Sequence, residues 1–209
     1  MDVVQLRCAG QAMPDARDLV RRYCGLPWSR GGPETWAYPY FDLIPGGDPD
    51  FVEPIDVLAC AALHPGLRRE DLAYFDRSSG PFDQWLSNLP TDLELADADD
   101  DLVAQIADLL FLVDPVGLSM LSKVAHRKRP LLVPMFDRVV ADRYRPITGE
   151  RGQLAWPALV TAISEDLRDQ HNRRLLDDIV REAVSELGEP TSLSALRALD
   201  IAMWMELEA

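Results

Sequence analysis

Lys123, His126, Arg127, Lys128 and Arg129 fall within seven residues, and Asp137 and Arg138 follow just beyond Pro130 and Pro134. This stretch, 117–143, GLSMLSKVAHRKRPLLVPMFDRVVADR, holds the residue types that chemistry needs. A lysine amine can attack an electrophilic carbon, and a carboxylate can activate water or stabilise an oxocarbenium-like centre. By residue type alone the stretch names no reaction. The same cations suit a second task, because guanidinium and ammonium groups clasp phosphate, sulfate or carboxylate. On that reading Lys123, His126, Arg127, Arg129 and Arg138 bind an anion. A third arrangement adds Tyr40 and Asp42, the polar tips of an aromatic loop, to the basic joint as one small-molecule pocket. The plain alternative is structural: cations complement a helix C-terminus, and Asp137 caps the next helix and pairs with Arg127 or Arg129 across the joint.

The positioning elements follow from the rest of the chain. At 209 residues, with 47% hydrophobic and 27% charged residues, the composition is that of a folded globular protein with a sizeable core. Net charge is -14, yet residues 122–151 carry eight basic against three acidic side chains, a local balance of plus 5. Such a chain repels a nucleic-acid backbone unless the basic stretch is displayed together, so net charge disfavours nucleic acid as a partner. Cys8, Cys24 and Cys60 form no CxxC pair, and His64, His126 and His171 are far apart, so neither a disulfide framework nor a metal site is expected. No long apolar run or leader-like start is present, which points to a cytoplasmic chain without a membrane span.

Helical spacing predicts a nearly all-α fold. Apolar residues recur at helical intervals over 15–23, from Pro54 to Leu63, over Phe82, Trp85, Leu86 and Leu89, and over Leu102, Val103, Ile106, Leu109 and Leu110. Asp114 and Pro115 read as the start of the next helix, whose inner face is Leu118, Leu121, Val124 and Ala125. Pro134 reads as opening another, with Asp137 in its first turn. Helices over 157–167 and 175–187 follow, as two or as one bent element. A last helix, capped by Thr191 or Ser192, carries Leu196, Leu199, Met203 and Leu207, and Arg197 and Asp200 read as a local ion pair on it. Residues 28–51, rich in Gly and Pro with Trp36, Tyr38, Tyr40 and Phe41, read as an ordered aromatic loop, and the few strand-like residues near 37–44 cannot make a large sheet. The expectation is one mostly helical domain over 1–209, or two lobes divided near 113.

The segment SKVAHRKRPLLVPMFDRVV resembles the one that follows the hairpin in helix-hairpin-helix base-excision DNA glycosylases. Lys123, Val124 and Ala125 match the lysine, small residue and alanine after that hairpin, and Phe136, Asp137, Val139 and Val140 match the region of its aspartate. The resemblance implies a glycosylase-like helical core whose candidate catalytic residues are Asp137, the essential carboxylate, and Lys123, the amine that attacks the sugar carbon. Gly117 stands alone where that family carries two or three glycines, so the backbone cradle for a DNA phosphate is reduced, and the shorter Lys123–Asp137 interval displaces the aspartate along its helix. Over SKxxHRKRPxLxPxxDxVV, with YFD, PIDVLA and LRALDIAMWM, the chain also resembles an actinobacterial domain family of unknown function, numbered 6308.

Three functions follow from these readings. The leading one is a binding module or accessory subunit with a degenerate glycosylase-like core, holding an anionic small molecule or a partner protein's acidic patch at the basic joint. The others are a glycosylase-like base-excision enzyme using Asp137, and a small-molecule enzyme with the Tyr40, Asp42 and basic-joint pocket. None calls for a cofactor.

Overall fold

The computed structural model describes residues 5–26, 37–63, 66–76, 80–188 and 191–207. The earlier part of the aromatic loop with Trp36, the stop signal at His64, Ser78 and Ser79, and Pro190 lie outside them. Helices dominate. The described strands, β1 (Leu6–Cys8) and β2 (Gln11–Met13), form one antiparallel hairpin in which Leu6 pairs with Met13 and Cys8 with Gln11. Ala9 and Gly10, both at positive φ, make the two-residue turn, the backbone twist such a tight hairpin requires. Strand-like residues thus lie before position 14, whereas Tyr38–Phe41 coil into a short helix, α2.

The described residues also form helices α1 (Ala16–Tyr23), α3 (Pro54–Cys60), α4 (Arg69–Phe75), α5 (Pro81–Ser87), α6 (Asp100–Ala107), α8 (Arg138–Thr148), α9 (Trp156–Arg168) and α10 (Gln170–Leu187). The basic stretch itself is α7 (Leu118–Lys128), and the chain's last described helix is α11 (Ala195–Leu207). The 157–187 region is two helices, broken at Asp169, whose carboxylate accepts from the His171 and Asn172 N–H groups and so starts α10. Helix α1 packs on α11, α8 lies against both α9 and α11, and α3 rests on α7. One continuous hydrophobic core runs from Leu6 to Met205.

Three helix starts differ from those expected. The Asp114–Pro115 peptide is cis, and the chain turns there instead of entering a helix; α7 begins three residues later behind Gly117 at φ 91°, a backbone setting that favours glycine. Pro134 lies outside any helix, and α8 starts at Arg138 with Asp137 as N-cap, its Oδ1 accepting the Val140 N–H at 2.9 Å. Ser194, not Thr191 or Ser192, caps α11, its Oγ accepting the Arg197 N–H at 3.0 Å.

Helix α7 is buried on nearly every side. Leu118, Leu121, Val124 and Ala125 face inward as their spacing predicts, but Ser122, Lys123, His126 and Lys128 are buried too. A helix enclosed this way must find partners for each of its charges. Those partners define what the basic stretch does.

Candidate functional site

The end of α7 is clasped by the loop before α3. Arg127 donates to the carbonyls of Phe41 (2.6 Å), Ile44 (3.2 Å) and Pro45 (3.3 Å) and to Asp56 Oδ1 (3.3 Å). Lys128 binds the other Asp56 oxygen and the carbonyls of Gly46 and Asp48, and Arg129 binds those of Leu86, Leu89 and Pro49 and the Asp50 carboxylate. A loop too short of regular structure to satisfy its own carbonyls gets its donors from three consecutive cations. Each of these three side chains is at most 3% exposed. The donors of Arg127 and Arg129 are thus spent on the chain's own backbone, and the ion pairs of this joint run to Asp56 and Asp50, not to Asp137.

His126 is 2% exposed, stacks on Phe41 and meets the Val133 carbonyl at 2.8 Å through Nδ1. Burial, reinforced by Arg197, pulls its pKa down to about 4 despite that carbonyl. A neutral imidazole cannot serve as a cation for an anion at neutral pH. Its ring resonances are therefore expected to stay constant from pH 7.5 to 5 in a nitrogen-detected NMR titration; a midpoint above 6 would contradict this assignment. Arg138 is exposed. Tyr40 is 63% exposed whereas Asp42 is 2% exposed and ion-paired with Arg197, so these two neighbours do not tip one shared pocket with the basic joint.

Lys123 is the exception within α7, because its side chain runs away from the loop into a cleft. Tyr23, Leu63, Lys123, Met135, Asp137, Arg197, Asp200, Ile201 and Trp204 line this cleft. Lys123 Nζ donates to Ser119 Oγ at 2.9 Å and to the Phe136 carbonyl at 3.3 Å, and so ties α7 to the residue just before Asp137. Burial draws its amine below the usual lysine range, against the opposing pull of Asp137 and Asp200. The pair proposed from the sequence, Lys123 and Asp137, thus shares one cleft although 14 positions apart.

Beside them lies a buried network that joins Asp42, Tyr23 and Asp200 through Arg197. Arg197 grips Asp42 with two bonds, Nε to Oδ1 at 2.7 Å and Nη2 to Oδ2 at 3.0 Å, and donates to Asp200 Oδ2 and Tyr23 Oη. Tyr23 Oη donates in turn to Asp42 Oδ2 at 2.7 Å. The guanidinium also lies 5.1 Å from the ring centres of Tyr23 and Phe41. Burial opposes charge on Arg197, but Asp42, Tyr23 and Asp200 outweigh it and hold the group protonated. Asp200 gets less relief. Burial pushes its pKa up to about 6, the nearby Asp137 pushes the same way, and Arg197, already shared with Asp42, recovers only part. The local ion pair that the i, i+3 spacing suggests is thus present, and it is buried in the cleft wall. A signal was present: Arg197 and Asp200 are embedded in LRALDIAMWM, a helix apolar all round, where isolated charges are rarely left unpaired.

The cleft is small. Its space open to the centre of a water-sized sphere is about 20 Å³, enough for one water. Larger hollows exist, about 420 Å³ between α3 and α4 and about 660 Å³ between α6 and α9, but neither is lined by a lysine, histidine or cysteine. Perturbed titratable groups converging in a cleft mark the better candidate for chemistry. The cysteines take no part as thiolates: burial raises Cys8 to about 11 and Cys24 and Cys60 to about 12. Among the described residues no cluster of His, Cys, Asp or Glu could hold a metal ion, and no helix is long and apolar enough to cross a membrane.

Neither a curated protein nor a solved structure matches the chain. The model of a family of unknown function, DUF6308, matches residues 16–207, a span from the start of α1 to the end of α11 that contains every residue of the cleft; the chain belongs to that family.

Proposed function

We propose that the cleft of Lys123, Asp137 and Asp200 is the working site and that it hydrolyses an N-glycosidic bond in a substrate of nucleoside size. The observation that carries this reading is the convergence of Lys123 and Asp137 in one cleft, with Asp137 fixed as the N-cap of α8. Bond cleavage at a sugar carbon develops positive charge, which a nearby carboxylate stabilises, and the same carboxylate can take a proton from the attacking water. Asp137 has one oxygen engaged by the Val140 N–H, and among the described residues its other oxygen takes no hydrogen bond.

Lys123 acts here by position. Its ammonium already donates to Ser119 and Phe136, and becoming a nucleophile would require it to lose a proton and one of these acceptors. It therefore anchors the segment that presents Asp137. Substrate size follows from charge. With the cations of Arg127 to Arg129 turned inward and a net charge of -14, the protein offers a nucleic-acid backbone little attraction. For a sugar to enter this narrow cleft, Leu63 and Trp204, both partly buried on its wall, would have to give way.

The test is release of free base, followed by chromatography, from a panel of purine and pyrimidine nucleosides and from single-stranded and duplex oligonucleotides. Asp137→Asn keeps the capping oxygen, so its fold should persist while release falls by at least about 100-fold. Release from nucleosides is expected to exceed release from oligonucleotides. Equal release by both proteins, or none by the wild type, removes this function.

A further inference from the structure

We infer that Asp200 is the proton donor to the departing nitrogen, and that Arg197 is the residue that positions it. This rests on the N-glycoside reading but concerns a group outside the Lys123–Asp137 pair. Two carboxylates line one cleft, and their surroundings differ. Asp137 sits at the start of the 11-residue helix α8, where backbone N–H groups and the helix dipole complement negative charge. Asp200 sits on α11 among Ile201, Met135 and Trp204, 8% exposed, with the charge of Arg197 divided between it and Asp42. Two carboxylates in unlike surroundings divide acid and base roles between them.

The hydrogen bonds fit a donor. Arg197 Nη1 engages Oδ2 of Asp200, and among the described residues Oδ1 takes no hydrogen bond, which leaves that oxygen to carry a proton toward a ligand. Arg197 is itself immobilised by five contacts: its backbone N–H on Ser194, two bonds to Asp42, and one each to Tyr23 and Asp200. The carboxyl is thus aimed by a group that cannot turn. The groups facing Asp200 are Asp137 from the start of α8, Lys123 from α7, Tyr23 from α1 and Arg197 from its own helix.

The step balances with water alone. The carbon–nitrogen bond breaks with its electron pair going to nitrogen, which takes the proton of Asp200. Water adds its oxygen to the sugar carbon and gives a proton to Asp137. Return of that proton to Asp200 through solvent restores both groups, and no oxidant, reductant or metal is consumed.

The test uses the full chain and two substrates. A nucleoside needs its leaving nitrogen protonated, whereas p-nitrophenyl β-D-ribofuranoside releases a phenolate that does not. Asp200→Asn is expected to lose nucleoside cleavage by at least about 100-fold yet keep p-nitrophenyl cleavage within about 5-fold, while Asp137→Asn loses both. The alkaline limb of the wild-type kcat profile on the nucleoside should vanish with the p-nitrophenyl substrate. Asp200→Asn losing both substrates alike, or neither, overturns the donor role while leaving the hydrolase reading intact. Wild type cleaving neither substrate overturns both. If Asp200→Asn fails to fold, carbon-detected NMR of the wild-type carboxyls decides: a midpoint for Asp200 well above the usual aspartate range supports the role, and an ordinary midpoint ends it.

Discussion

Arg197→Met is expected to destabilise the protein by about 3–5 kcal/mol, seen as a lower denaturant midpoint at unchanged slope. Methionine fills most of the volume but leaves the carboxylate of Asp42 with no counter-charge. Asp42 is 2% exposed, and its remaining side-chain partner is the neutral Tyr23 hydroxyl. Removing one member of a buried pair costs far more than the pair contributes, because the survivor is left charged in a poor solvent. Pairing Arg197→Met with Asp42→Asn should therefore recover a substantial part of the loss, a coupling that a double-mutant cycle measures. A loss below about 1 kcal/mol, or additive effects in the double variant, would mean the network is not the keystone between α1, α2 and α11.

Asp56→Asn should be comparably costly, again about 3–5 kcal/mol. Asp56 is fully buried at the third position of α3, where one carboxylate caps the Glu53 N–H at 2.9 Å and compensates both Arg127 and Lys128. The amide can still accept the capping bond, so the loss isolates the charge. Lys128→Met beside it should offset part of the damage, since it removes one stranded cation. If Asp56→Asn instead melts within about 2 °C of the wild type, the loop carbonyls alone suffice for the cations, and the ion pairs are incidental.

Helical periodicity showed where most helices lie, because apolar faces at 3.6-residue spacing leave a strong trace. Helix starts were less legible. The Asp114–Pro115 bond is cis and Pro134 lies outside a helix, whereas both prolines have the sequence look of a first helical turn. The basic stretch was legible as important but not as inward-facing. Its main partners are backbone carbonyls, Asp56 and Asp50, from 40 to 86 positions away, and nothing in the local pattern of Arg127 to Arg129 tells a displayed cation from one clasping a loop. Lys123 and Asp137 were legible through residue type and resemblance. Asp200 and Arg197 became part of the site only when α11 packed against α1 and α8.

The stretch 117–143 therefore divides in function at the residue level: Arg127, Lys128 and Arg129 build the scaffold, while Lys123 and Asp137 face the cleft. Neighbouring residues 137 and 138 test that division most directly, one lining the cleft and the other an exposed cation of the same stretch. Base release from nucleosides should fall by at least about 100-fold in Asp137→Asn and stay within about 2-fold of wild type in Arg138→Ala. The reverse pattern, with release kept in Asp137→Asn and lost in Arg138→Ala, would contradict the account and return function to the displayed basic surface.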